Sequence, residues 1–110
     1  MPYLCDHKRI LSSGATADFF AVNFTDWLDS DETISSVTIT EVDTTHLSLS
    51  SKAANTAAIE VNGDTVAIGK GVQCTINAAN ARAGTTYRLL VTLTTSNSRV
   101  VPFWFDMEAV

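Results

Sequence analysis

One stretch limits the fold of this 110-residue chain more than any other: Ala83-Gly84-Thr85-Thr86-Tyr87-Arg88-Leu89-Leu90-Val91-Thr92-Leu93-Thr94-Thr95-Ser96-Asn97-Ser98-Arg99. A glycine turn leads into a tyrosine, a long alternating strand, a polar turn and a second strand. Tyr87, Leu89, Val91 and Leu93 share one face at period two, as do Val101, Phe103, Phe105 and Met107 on the next strand. Both faces must meet the same core, so paired residues must share parity. Pairing Thr95 with Arg99 meets that condition and leaves a three-residue loop, Ser96-Asn97-Ser98, with Asn97 or Ser98 in the left-handed conformation. A tyrosine near the start of such a strand can return its hydroxyl to nearby backbone and pin the corner before it. Tyr87 is therefore predicted to be buried and hydrogen-bonded close by.

The rest of the chain agrees with a β reading. Thr, Val and Ile make 31 of the 110 residues; branched side chains suit a pleated surface and lose rotamer freedom in helices. Residues 18–24 read as a strand with Phe20, Val22 and Phe24 on one face. Trp27 and Leu28 follow and are expected to plug one end of the domain. Further strands are predicted over 34–42, 46–50, 72–77, 85–94 and 99–107, with 51–56 as loop. Asn62-Gly63 between apolar runs marks a tight hairpin within 57–68, because both turn positions favour positive φ. Strands recurring every 10–12 residues with turn residues between them predict an all-β, immunoglobulin-like antiparallel β-sandwich of 7–9 strands. It is expected over 17–110. Residues 1–16 show neither period and are expected as an extended N-terminal arm.

Composition and motifs narrow the function classes. Net charge is −5, with 7 basic residues scattered along the chain, so no nucleic-acid footprint is seen. No apolar run approaches the roughly 20 residues of a membrane span, and Met1 to Arg9 lacks a signal-peptide core. Cys74 alternates with apolar neighbours and is expected to be buried and reduced; Cys5 is expected to be unpaired. HExxH, paired CxxC, GxSxG and phosphate-loop patterns are all missing. Cys5-Asp6-His7 is too local for a zinc site, and His46 is expected at a sheet edge or the surface. The acidic run Asp26, Asp29, Asp31, Glu32 lacks EF-hand spacing; it reads as a solvated loop or, less well, as a cation site. No catalytic residue, cofactor or metal is assigned, and the chain is expected not to be an enzyme.

One surface feature stands out. The hairpin register places Leu90 opposite Trp104 on the outer face, with Pro102 beside Thr92. Two readings are open: cover by the N-terminal arm or by packing of the first strand, or a docking patch, since exposed aromatic and apolar residues grouped in this way often mark a partner. Tyr3, Leu4, Leu90, Pro102 and Trp104 are the candidate partner-binding residues, the first two through the arm.

Three segments together carry a resemblance: Asp26-Trp27-Leu28 after an aromatic-rich first strand, Asp31-Glu32-Thr33-Ile34 opening the next, and Ala83-Gly84-Thr85-Thr86-Tyr87 before Thr94-Thr95-Ser96-Asn97-Ser98-Arg99. Over about residues 8–107 the chain resembles the small immunoglobulin-like virion proteins of tailed bacteriophages, of the fibre–tail adaptor type. It departs from them in the Asn62-Gly63 hairpin and in having Glu32 and Ser98 where glycine is common. The resemblance implies a non-enzymatic adaptor joining a tail fibre or spike to the tail or baseplate. It would be assembled in the bacterial cytoplasm, reside in the virion, and contact other virion proteins, with several copies in a symmetric assembly also compatible; nucleic acid and membrane are not expected partners. The alternatives are a capsid decoration or neck protein, or a carbohydrate-binding β-sandwich.

Overall fold

A computed structural model of the chain describes residues 3–4, 9–61 and 63–110. Ten strand segments run in chain order: β1 (Tyr3–Leu4), β2 (Arg9–Leu11), β3 (Asp18–Asn23), β4 (Ile34–Val42), β5 (Ser48–Ala54), β6 (Ile59–Val61), β7 (Asp64–Val66), β8 (Gly71–Asn77), β9 (Thr86–Thr95) and β10 (Val100–Ala109). A 3₁₀ turn spans Thr25–Trp27. One sheet has the order β10-β9-β4, with β1 and β2 along the outer side of β10. The second has the order β3-β8-β5, and β6-β7 form a separate hairpin. Because β1 and β2 share one edge, the segments fill nine strand positions. The placement of β3, β5 and β8 opposite β4, β9 and β10 is that of an immunoglobulin-like sandwich.

The long final hairpin follows the parity argument. Leu90 pairs with Trp104, Thr92 with Pro102, and Thr94 with Val100. The Thr95 N–H donates to the Arg99 carbonyl at 2.9 Å, and Ser98 takes the left-handed conformation with φ 63°. Val61 pairs with Asp64 in the β6-β7 hairpin, and Gly63 has φ 87°; Asn62 lies outside the described residues.

The inward residues of both sheets make one core. Phe20, Phe24, Ile39, Val72, Cys74, Ile76, Tyr87, Leu89, Val91, Leu93, Phe103, Phe105 and Met107 are all buried, and Val22 is half-buried beside them. Phe105 meets Phe20 edge-on at 5.6 Å between ring centres, and Phe24 lies 4.9 Å from Phe103. Such pairs add about 0.5–1.5 kcal/mol beyond burial. Trp27 stands edge-on to Phe103 at 4.9 Å but stays 46% exposed. It therefore covers the end of the core from outside, while Leu28 is packed more deeply. Cys74 is a buried free thiol, and burial raises its pKa; Cys5 lies outside the described residues.

Two expectations are corrected. Over Tyr3–Leu4 and from Arg9 onward, the N-terminal stretch pairs with its own sandwich instead of standing apart from it as an arm. β1 pairs in parallel with Phe103–Trp104, and β2 pairs in parallel with Met107–Ala109. Leu11 is wholly buried. The Gly14 N–H donates to the Ala78 carbonyl at 2.8 Å, and the Ala78 N–H donates to Ala15 at 2.7 Å. Two- and three-residue segments are too short to show a period, which is why the pattern was silent there. The second correction is that 51–54 continue a strand and are not loop. β5 shifts register against β8 between Ser50 and Ala53, and Ser51 has φ 53°. A bulge interrupts side-chain alternation and so hides an edge strand from a periodicity search.

Candidate functional site

The outer face of the β10-β9-β4 sheet is built by the residues left over once the core is filled. Along β9 and β10 the buried positions alternate with Arg88, Leu90, Thr92, Pro102, Trp104 and Asp106, all half-buried. The structure brings the five candidate residues into one neighbourhood. Leu4, Trp104 and Leu90 lie in register on three adjacent strands, Tyr3 pairs with Phe103, and Pro102 lies opposite Thr92. Tyr3 and Leu4 thus enter through backbone pairing with their own β10, not through an outlying arm.

Trp104 is not bare. The Arg88 guanidinium sits 4.5 Å from its ring centre. The same guanidinium donates twice to Asp106, from Nε at 2.7 Å and from Nη2 at 3.0 Å. This pairing raises the pKa of Arg88. The result is a fixed polar border to an apolar patch: charge is paired at one end, while Leu90, Thr92 and Pro102 continue the face at the other. Neither Arg88 nor Asp106 was singled out from sequence. The signal was there, because the hairpin register sets them directly opposite, where opposite charges attract.

In the acidic segment after β3, Glu32 and several backbone carbonyls are bound by the protein's own cations. Glu32 is fully buried. Its carboxylate accepts from Arg99 Nε at 2.9 Å, from the Thr95 hydroxyl at 2.6 Å and from the Asp29 N–H at 3.1 Å. Hydrogen bonding from Arg99, then from Thr95, lowers its pKa from 4.5 to about 2. Lys70 Nζ donates to the carbonyls of Asp29 and Ser30 at 2.9 and 3.2 Å, and to that of Glu32. Of this segment, the Glu32 carboxylate is thus engaged by a guanidinium, and the Asp29, Ser30 and Glu32 carbonyls by an ammonium. Among the described residues no group of three or more His, Cys, Asp or Glu is placed to hold a metal ion; Cys5-Asp6-His7 lies outside them. This interlock was hidden from sequence, since Glu32 and Arg99 are far apart in the chain and neither sits in a period.

Tyr87 forms the predicted corner. Its ring is buried, and its hydroxyl accepts from the Arg82 N–H at 2.8 Å. His46, expected at an edge or the surface, is half-buried just before the edge strand β5. Its Nδ1 lies 2.8 Å from the Tyr87 hydroxyl, and the two rings meet edge-on at 5.6 Å. Glu41 holds the connection before β5 by accepting from the N–H groups of His46 and Leu47 and from the Thr44 hydroxyl. These contacts are architectural and bring no reactive pair to an open cleft.

The fold and this face define an immunoglobulin-like β-sandwich with an apolar patch on one sheet. No protein-family model matches the chain, and no curated protein matches it.

Proposed function

We propose that the chain is a non-enzymatic structural protein of a tailed bacteriophage virion, an adaptor connecting a tail fibre or spike to the tail or baseplate. The observation that carries this reading is the outer face of β9 and β10. There Leu90, Pro102 and Trp104 form an apolar surface framed by the Arg88–Asp106 pair. Apolar contact with a polar border is the usual anatomy of a protein–protein interface. The sequence resemblance over residues 8–107 supplies the virion setting, and the other virion proteins supply the partners. The contact runs through the sheet face and the loops at one end of the sandwich; a free arm has no part in it over the described residues. A sugar-binding role for Trp104 is less well supported, because Arg88 lies over the ring and is itself committed to Asp106.

The test is the position of this chain in a density map of the virion whose genome encodes it. Density for the sandwich between fibre or spike and tail is the expected result. Density on the capsid surface would replace the adaptor role by decoration. Absence of the chain from purified particles would overturn the proposal.

A further inference from the structure

We infer that the loop end around Trp27 is a docking surface for a basic segment of a partner protein, arginine before lysine. The starting point is an exposed aromatic side chain on a fixed backbone. Trp27 closes the 3₁₀ turn, stands edge-on to Phe103 and is 46% exposed. Its N–H donates to the Phe24 carbonyl at 2.9 Å, and its carbonyl accepts from Arg99 Nη2 at 3.0 Å. Asn23 Oδ1 accepts from the N–H and the hydroxyl of Thr25 at 3.0 and 2.6 Å, which fixes the start of the turn. Val100, next to Arg99, is 64% exposed at the same end of the sandwich. A tryptophan held in this way gives up little conformational entropy on contact, and tryptophan is among the residues that most often anchor an interface.

The charge around this anchor sets the partner. Asp26, Asp29 and Asp31 flank Trp27 in the chain and are exposed. Glu32 is answered by Arg99, and Lys70 is engaged with the carbonyls of Asp29, Ser30 and Glu32. Four carboxylates thus stand against two cations, a net charge of −2 for this end. Among the described residues the carboxylates do not gather into a group that could hold a metal ion. An acidic rim spread around an indole ring suits cations that are themselves spread along a polypeptide. A guanidinium suits it best, because it stacks on an aromatic face and forks onto a carboxylate with the same planar group.

The chain itself contains one instance of this chemistry. On the sheet face the Arg88 guanidinium lies 4.5 Å from the Trp104 ring centre while it donates twice to Asp106. A partner's arginine would meet the same two kinds of group at the loop end, an indole ring and a carboxylate, with Asp26 next to Trp27 in the chain. The inference deepens the proposed contact through the loops and rests on that reading for there being a partner protein. The partner's chemistry is read from the loop end alone.

The experiment titrates the full ¹⁵N-labelled chain with a capped peptide of alternating arginine and glycine, read by amide and indole N–H shifts at low salt. The expected result is saturable binding with Kd below about 1 mM, with shifts confined to Thr25–Thr33, Arg99–Val101 and the Trp27 indole. Binding should weaken as salt rises to about 150 mM. A lysine–glycine peptide should bind more weakly, and a glutamate–glycine peptide should leave the spectrum unchanged. Trp27→Ala should weaken binding at least about tenfold. Asp26→Asn with Asp31→Asn changes only exposed side chains and should weaken it at least about threefold; this pair keeps the test open if Trp27→Ala fails to fold. Glu60→Gln with Asp64→Asn, an equal charge change in the β6-β7 hairpin, should leave the affinity within about twofold of native. The inference is overturned by an unchanged spectrum at about 5 mM arginine peptide, by equal shifts with the glutamate peptide, by shifts centred on another face, or by native affinity in the Asp26 and Asp31 variant. None of these outcomes moves the chain in a virion map, and a map that places it away from the tail leaves the peptide result standing.

Discussion

At the scale of single residues, a few polar side chains do most to fix the loops. Asn55 is buried. Its Nδ2 donates to the carbonyls of Ala57 and Ala67 at 3.0 and 2.9 Å, and its Oδ1 accepts from the N–H groups of Gly69 and Gly71 at 3.1 and 3.0 Å. Asn55→Ala strands buried donors and acceptors at once, and is expected to cost about 3 kcal/mol in a denaturant titration. Tyr87→Phe removes only the hydroxyl and leaves the ring in the core; about 1–2 kcal/mol is expected from the same measurement. Glu32 sets a pH dependence. Its folded pKa of about 2 lies below its ordinary 4.5. Between these values the unfolded chain binds a proton that the folded chain refuses. Its contribution is therefore fully present above about pH 4.5 and is lost as pH falls towards 2. Unfolding midpoints measured across that window should slope for the native chain and flatten in Glu32→Gln.

At the scale of elements, legibility in the sequence followed strand length. β4, β9 and β10 are nine, ten and ten residues long, and alternation placed them within a residue or two at each end. The facing of Leu90 and Trp104 came from parity alone. β5 was cut short because its bulge breaks the period, and β1 and β2 were missed because they are too brief to have one. Gly71 shows a different kind of hidden constraint: a Cβ there would come within 2.9 Å of Val66 Cγ1 and 3.0 Å of the Val22 carbonyl oxygen. β8 can thus approach β3 only without a side chain at that point. The corrected N-terminus changes the expected effect of truncation. Deleting residues 1–16 removes Leu11 from the core and uncovers the β10 edge, so a loss of at least about 3 kcal/mol is expected in thermal or denaturant unfolding. An unaltered midpoint would mean that β2 adds nothing to the sheet.

At the scale of the whole molecule, two sheets close on a shared core and leave an outer face on β9 and β10. The inner faces are committed to one core, and the loop end is interlocked through Glu32, Arg99 and Lys70. The outer face of β9 and β10 carries the half-buried apolar side chains Leu90, Pro102 and Trp104. Sequence located that face because hairpin register is a local property. It did not locate the interlock, because a buried carboxylate far along the chain from its guanidinium leaves no periodic trace. The adaptor account depends on the face acting as a docking surface, and the most direct measurement is incorporation of a face variant. Leu90→Ser with Trp104→Ser alters two half-buried outer positions and spares the buried core. Virions assembled with this variant as the sole copy should contain at least about tenfold less of the chain by quantitative mass spectrometry, the loss of roughly 1.4 kcal/mol or more of contact energy, while circular dichroism of the purified variant stays that of the native β-sandwich. Native-level incorporation of the folded variant would contradict the account.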